Sequence, residues 1–199
     1  IADRLVVTGP VENTTNDYQF VVPEGYGGAW VSVVFTAKTP ASAVVSANDL
    51  TYNQEAQELV TLSSVTGGSA ENPVTYSLTE NGVYSTDIPK GTNAGDYTVY
   101  YKISPDDAHS EKSGSVVVKI KQATLTSVTL NKTILIPGES VSVTSVKAGS
   151  LDVPSTDYDV TGDNETTVGP HTLTVTAKEG TNYTGSASAC YTITNNDKI

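Results

Sequence analysis

Asn93-Ala94-Gly95-Asp96-Tyr97-Thr98-Val99 returns about 74 residues later as Thr167-Val168-Gly169-Pro170-His171-Thr172-Leu173. Each stretch reads as a turn centred on glycine that opens an alternating strand. Each is followed by a polar loop and a last strand ending in isoleucine: Val116-Val117-Val118-Lys119-Ile120, then Ala189-Cys190-Tyr191-Thr192-Ile193. A fixed period of this length, built only of strands, predicts tandem β-sandwich modules. Alternation assigns the faces. Tyr97, Val99 and Tyr101 share one side of their strand, with Thr98, Tyr100 and Lys102 on the other. Leu173, Val175 and Ala177 form an aliphatic row, and Thr172, Thr174 and Thr176 a solvent row.

The rest of the chain fits an all-β class. No window sustains a helical period, and short β-branched or aromatic runs are broken by Gly, Pro, Asn and Asp. Strands are predicted near 44–46, 57–62, 74–78, 83–86, 95–103 and 114–121, then near 126–130, 141–147, 158–161, 171–177 and 186–194. Asn81-Gly82 is a hairpin signal, because both residues tolerate positive φ. Residues 41–122 and 123–199 are thus expected to be two antiparallel sandwiches. The short join near Lys121–Thr124 is expected to hold them end to end with limited swing. Residues 1–40 read as a β-rich N-terminal segment, either a small sheet docked on the module at 41–122 or the remnant of a preceding sandwich, with strands near 5–8, 18–22 and 30–38. Its apolar runs must bury a face or leave open edges.

Composition narrows function by exclusion. The net charge of −11 divides as −2 over residues 1–40, −5 over 41–122 and −4 over 123–199. A spread negative charge keeps the chain soluble and argues against nucleic acid as a partner, since phosphates require a basic footprint. No apolar run approaches the length of a membrane span. Serine and threonine make up roughly a quarter of the residues, which suits wet strand faces. A start at Ile1 and the absence of methionine lead us to expect a processed fragment.

The search for chemistry returns little. His109 and His171 are the two histidines, far apart in sequence, and both are expected to be solvated loop residues. No His/Cys cluster suggests zinc, and no other cofactor is implied. The acidic stretch Asp152, Asp157, Asp159, Asp163 and Glu165 does not follow a calcium-loop pattern. Lys119 has the outward parity of its strand, which disfavours an internal isopeptide crosslink. Tyr26 and Trp30 flank Gly27-Gly28-Ala29 and are candidates for stacking on a glycan, against the plainer reading of Trp30 as a core anchor. Cys190 has the parity opposite to Tyr191 and Ile193. It is a candidate for an intermolecular disulfide, against a thiol shielded by a neighbouring module or loop.

Residues 50–122 resemble the MBG-type repeats of bacterial surface proteins. The carriers are Leu50-Thr51-Tyr52-Asn53, Gln57-Glu58-Leu59-Val60, Thr75-Tyr76-Ser77-Leu78, Ile88-Pro89 and the stretch from Asn93 to Lys102. Residues 123–194 look like a sister repeat, through Thr156-Asp157-Tyr158, Thr167-Val168-Gly169, Leu173-Thr174-Val175-Thr176 and Asn182-Tyr183-Thr184-Gly185. Pro170-His171 departs from the usual small residue and aromatic after the turn glycine, which leaves the detail of that turn open. The resemblance implies Ig-like sandwiches on an extracellular, bacterial cell-surface protein, often as stalks carrying an adhesive or enzymatic domain elsewhere. The lack of a catalytic constellation in the sequence leads us to expect that this chain is not itself an enzyme. The expected role is a stalk, an adhesive spacer or an assembly subunit, with other copies or cell-surface glycans and proteins as partners. Two readings compete with it. One is a carbohydrate-binding module that uses Tyr26 and Trp30. The other is a filament or virion-decorating subunit, in which residues 1–40 complete a sheet with another copy.

Overall fold

The computed structural model describes residues 38–68 and 73–195. They form an all-β structure of several sheets, with one short 3-10 turn at Ser155–Asp157. The three strands expected before residue 38, together with Tyr26 and Trp30, lie outside the described residues.

The predicted glycine-led strands are the spine. Strand Gly95–Ile103 pairs antiparallel with Lys112–Lys121, placing Gly95 opposite Ile120. Strand Gly169–Ala177 pairs in the same sense with Ser186–Ile193, placing Gly169 opposite Ile193. Each pair sits at the centre of a four-stranded sheet. The N-terminal sheet runs Leu50–Thr51, Lys112–Lys121, Gly95–Ile103, Val74–Ser77, and the C-terminal one Ile134–Leu135, Ser186–Ile193, Gly169–Ala177, Tyr158–Thr161.

Both turn glycines have positive φ, +148° at Gly95 and +136° at Gly169, and open space where a Cβ would stand. Conformation rather than crowding selects glycine there. Two residues on, both turns are tied in one way. The Tyr97 hydroxyl donates to the Asn93 carbonyl at 2.8 Å, and His171 Nε2 donates to the Thr167 carbonyl at 2.6 Å. The departure at His171 thus keeps the tether and changes only the ring that makes it.

Each large sheet covers its core with a smaller sheet. In the N-terminal half the partner is Ser42–Ala47 with Val60–Thr66, bulged between Val44 and Val45. In the C-terminal half it is Ser127–Leu130, Val143–Ala148 and Leu151–Asp152, bulged between Thr129 and Leu130. The buried side chains form two clusters. Leu59, Val60, Val99, Ile103, Val118 and Ile120 centre the first, and Leu135, Val146, Leu173, Val175, Tyr191 and Ile193 the second. Leu173 and Val175 lie on the aliphatic row that alternation set against the solvent row, and Val99 lies on the row it shares with Tyr97 and Tyr101.

Several expectations are corrected. Pairing is not purely antiparallel. Among the described residues four two-residue pairs are parallel: Thr39–Pro40 with His109–Ser110, Leu50–Thr51 with the end of Lys112–Lys121, Ala123–Thr124 with Tyr183–Thr184, and Ile134–Leu135 with the end of Ser186–Ile193. The first of these ties Thr39–Pro40 to the N-terminal core.

The strand expected over 57–62 breaks at Leu59. Gln57–Glu58 pairs with Lys90–Gly91, while Val60–Thr66 pairs with Ser42–Ala47. Leu59, fully buried, marks where the chain changes sheets. The strand expected over 83–86 is a single bridge between Ser85 and Tyr76, and Val83 is 93% exposed. The hairpin expected at Asn81-Gly82 is a turn centred on Glu80-Asn81, closed by the Gly82 N–H donating to the Thr79 carbonyl at 3.1 Å, and neither Asn81 nor Gly82 has positive φ. A Cβ on Gly82 would stand 2.0 Å from Thr79 Oγ1. Beyond it the Ser85 hydroxyl accepts from the Asp87 N–H at 3.1 Å, which turns the chain away from the sheet.

The paired turns make a specific demand. Gly95→Ala and Gly169→Ala, placing a side chain at a φ that L residues avoid, are each expected to lower unfolding free energy by about 1–3 kcal/mol in urea denaturation. A change under about 0.5 kcal/mol at both positions contradicts this account of the turns.

Candidate functional site

A set of specific polar contacts joins the two cores. One residue, Gln122, separates strands Lys112–Lys121 and Ala123–Thr124. Its Nε2 donates to the carbonyls of Thr181 at 2.8 Å and Tyr183 at 3.0 Å. This ties the connection to the loop that carries Asn182 and Tyr183.

That loop enters between two loops of the N-terminal core. On one side the Asn182 Oδ1 accepts from the Ala94 N–H at 2.8 Å, and its Nδ2 donates to Asn93 Oδ1 at 3.2 Å. On the other side Tyr52 and Tyr183 meet edge to face, 5.4 Å between centroids at 86°. Tyr52 packs against both core clusters, and its N–H donates to the Lys121 carbonyl at 2.8 Å. Edge-to-face aromatic pairs contribute about 0.5–1.5 kcal/mol beyond their buried area.

Gln54 completes the grip. Its Nε2 donates to the Asp152 carbonyl at 3.1 Å and to the Tyr183 hydroxyl at 3.2 Å. The Tyr183 hydroxyl in turn donates to the Asp152 carbonyl at 3.3 Å. Gln54 has φ +69°, the one positive φ at a non-glycine residue among the described residues. Such a backbone costs of order 1–3 kcal/mol and persists where its surroundings over-determine it. Here it aims the carboxamide across the junction. Burial pushes the Tyr183 phenol above its ordinary pKa, with the Gln54 hydrogen bond opposing. The phenol therefore stays protonated and able to donate at neutral pH.

No ion pair crosses the junction among the described residues. Lys121 pairs with Asp49 at 2.5 Å inside the N-terminal core, and Lys147 with Asp152 at 2.6 Å inside the C-terminal one. A groove of about 350 Å³ runs beside the junction, lined by Tyr52, Asn53, Ala123 and Leu151.

The residues singled out from sequence lie elsewhere. Cys190 is exposed, 3.9 Å from Thr172 Oγ1 across the sheet. Tyr191 and Ile193 fill the interior, so Cys190, of opposite parity, faces out among the described residues. Lys119 is exposed and lies 3.9 Å from Asp96 Oδ1. The two histidines are not solvated loop residues. His109 lies in a short strand, half-buried, with Nδ1 3.0 Å from both Asp106 oxygens. His171, its side chain 13% exposed, packs on Tyr191 with ring centroids 5.4 Å apart. Desolvation raises the Asp106 pKa, but hydrogen bonds from the His109 and Ala108 N–H groups and the His109 ring outweigh it and hold the carboxyl low.

The acidic stretch is dispersed. Asp152 pairs with Lys147, Asp159 lies 3.7 Å from Lys178, and Glu165 lies 3.9 Å from His171 Nδ1. Among the described residues no group of three or more His, Cys, Asp or Glu side chains is placed to hold a metal ion. No helix among them is long and apolar enough to cross a membrane.

Sequence reading did not assign Tyr52, Gln54, Asn93, Asn182 and Tyr183 to one place. Four of them fall inside stretches that carry the family resemblance, which was a usable signal; Gln54 gave none. No protein-family model matches this chain, and no curated protein matches it.

Two measurements check this geometry. Asn182→Ala removes two hydrogen bonds across the junction and is expected to cost about 1–3 kcal/mol, destabilising the N-terminal core as well as its own. A loss confined to the C-terminal core by residue-resolved hydrogen exchange contradicts the contact. Cys190, being exposed, is expected to react with a water-soluble thiol reagent in the native state as fast as in denaturant. Protection of tenfold or more would show the thiol is covered.

Proposed function

We propose that this chain is a tandem pair of Ig-like β-sandwich modules serving as a non-enzymatic spacer in an extracellular protein of a bacterial surface. The observation that carries the reading is the junction. A one-residue connection and a gripped Asn182-Tyr183 loop suit a part whose task is to set distance and direction. A free linker would need neither the bonds of Gln54 nor its strained backbone.

Three further observations support it. The two halves share one pairing pattern, including a parallel two-residue strand beside the last long strand and a bulged smaller sheet. The sequence resembles repeats from surface proteins at the turns and strands that build that pattern. The described side chains gather into contacts that hold loops in place rather than into a nucleophile, base and orienting group. Partners on this reading are other polypeptide units and surface ligands, with no cofactor.

The joint is held by neutral groups, so its geometry should ignore salt. Residual dipolar couplings measured for each core report their relative orientation directly. One shared alignment is expected at low salt and at about 1 M salt, where the Debye length is about 3 Å. Two independent alignments at low salt would sink the spacer reading. So would substrate turnover by the purified chain that is lost on changing one carboxylate.

A further inference from the structure

The two loops that grip Asn182 and Tyr183 have counterparts in the C-terminal core. Register defines them. Gly95 opposes Ile120 as Gly169 opposes Ile193, and Leu50 lies beside Ile120 as Leu135 lies beside Ile193. The loop bearing Tyr52 and Gln54 therefore corresponds to the loop that begins at Ile136. The loop bearing Asn93 and Ala94 corresponds to the one ending at Thr167 and Val168. The shared tether, Tyr97 to Asn93 and His171 to Thr167, shows that the second loop is set alike in both cores.

In the N-terminal core the Asn182-Tyr183 loop lies between these two loops. In the C-terminal core they line an open cleft of about 240 Å³. Ile136, in the lining and in the place of Thr51, is 44% exposed, and Val168, beyond the lining residue Thr166 and in the place of Ala94, is 54% exposed. The cleft is smaller than the roughly 300–1,000 Å³ of small-molecule sites, a size that suits one side chain on a loop. Asp163 and Glu165 line the cleft, so a basic residue beside the entering side chain would be favoured.

We infer that this cleft receives a polypeptide loop presenting a tyrosine ring beside a carboxamide, carried by another β-rich unit of the same pairing pattern. The contact repeats the one inside the chain: the ring packs against the loop of Ile136, and the carboxamide accepts from the Val168 N–H. It rests on the tandem reading above, in taking the two cores as siblings.

The test extends the natural chain. Thr194 and Asn195 match Lys121 and Gln122 in register, so a copy of residues 123–195 joined directly after Asn195 reproduces the natural spacing. Amide shifts of Ile136, Glu165 and Val168 are expected to move, and the appended core to share one alignment with the rest. Ile136→Asp, at an exposed position, is expected to free the appended core while leaving the natural junction intact. Independent tumbling of a folded appended core beside a rigid natural junction overturns the inference and leaves the spacer reading standing. Independent tumbling at both junctions overturns both. If the appended core does not fold, a cyclised peptide of residues 178–185 is titrated into the natural chain. The same three amides are expected to shift, with no response to its Tyr183→Ala form. No shift, or equal shifts from both peptides, overturns the inference.

Discussion

The backbone N–H of Ala94 points out of its own core and is satisfied by a side chain of the other, and the joining of the two halves depends on that bond. The direction is fixed locally. Gly95 supplies a φ closed to L side chains, and the Tyr97 hydroxyl holds the carbonyl of Asn93. The donor is thus set before Asn182 arrives, and a preorganised donor loses little freedom on pairing. Gln54 plays the matching part on the opposite loop, where a strained backbone aims two hydrogen bonds at Tyr183 and Asp152. Between them the Tyr183 ring is 2% exposed and fills the space against Tyr52.

Charge follows a different plan. The chain carries a net −11, yet the junction is made of carboxamides, backbone groups and two phenols. The ion pairs among the described residues stay within one core or the other, mostly on exposed side chains. Exposed pairs of this kind contribute about 0–1 kcal/mol each and weaken in salt. A joint built on them would loosen with ionic strength, whereas neutral hydrogen bonds and aromatic packing are nearly indifferent to it. Geometry at the junction is left to uncharged groups.

Sequence made the long strands legible because alternation and turn glycines are local signals. Gly95–Ile103 and Tyr158–Thr161 coincide with their predicted ranges, and the outward parity of Cys190 followed from Tyr191 and Ile193. The two-residue parallel pairs were not legible, since two residues carry no period. Leu59 hid a change of sheet inside a run that read as one strand, because a buried leucine looks alike on either side of the crossing. His171 broke the pattern by residue type while keeping the hydrogen bond, which only geometry reveals. The junction was the least readable part. Asn182 and Ala94 are 88 positions apart, and Gln54 and Tyr183 are 129, so nothing local couples them.

The central claim is that the two halves are energetically joined through the gripped loop. A double-mutant cycle between Tyr52 and Tyr183, each changed to Leu singly and together, measures that join directly in equilibrium unfolding. The account predicts a coupling of about 0.5–1.5 kcal/mol, the range for an edge-to-face pair. Additive effects, with coupling indistinguishable from zero, would mean that the rings share a boundary without holding it, and would contradict the account.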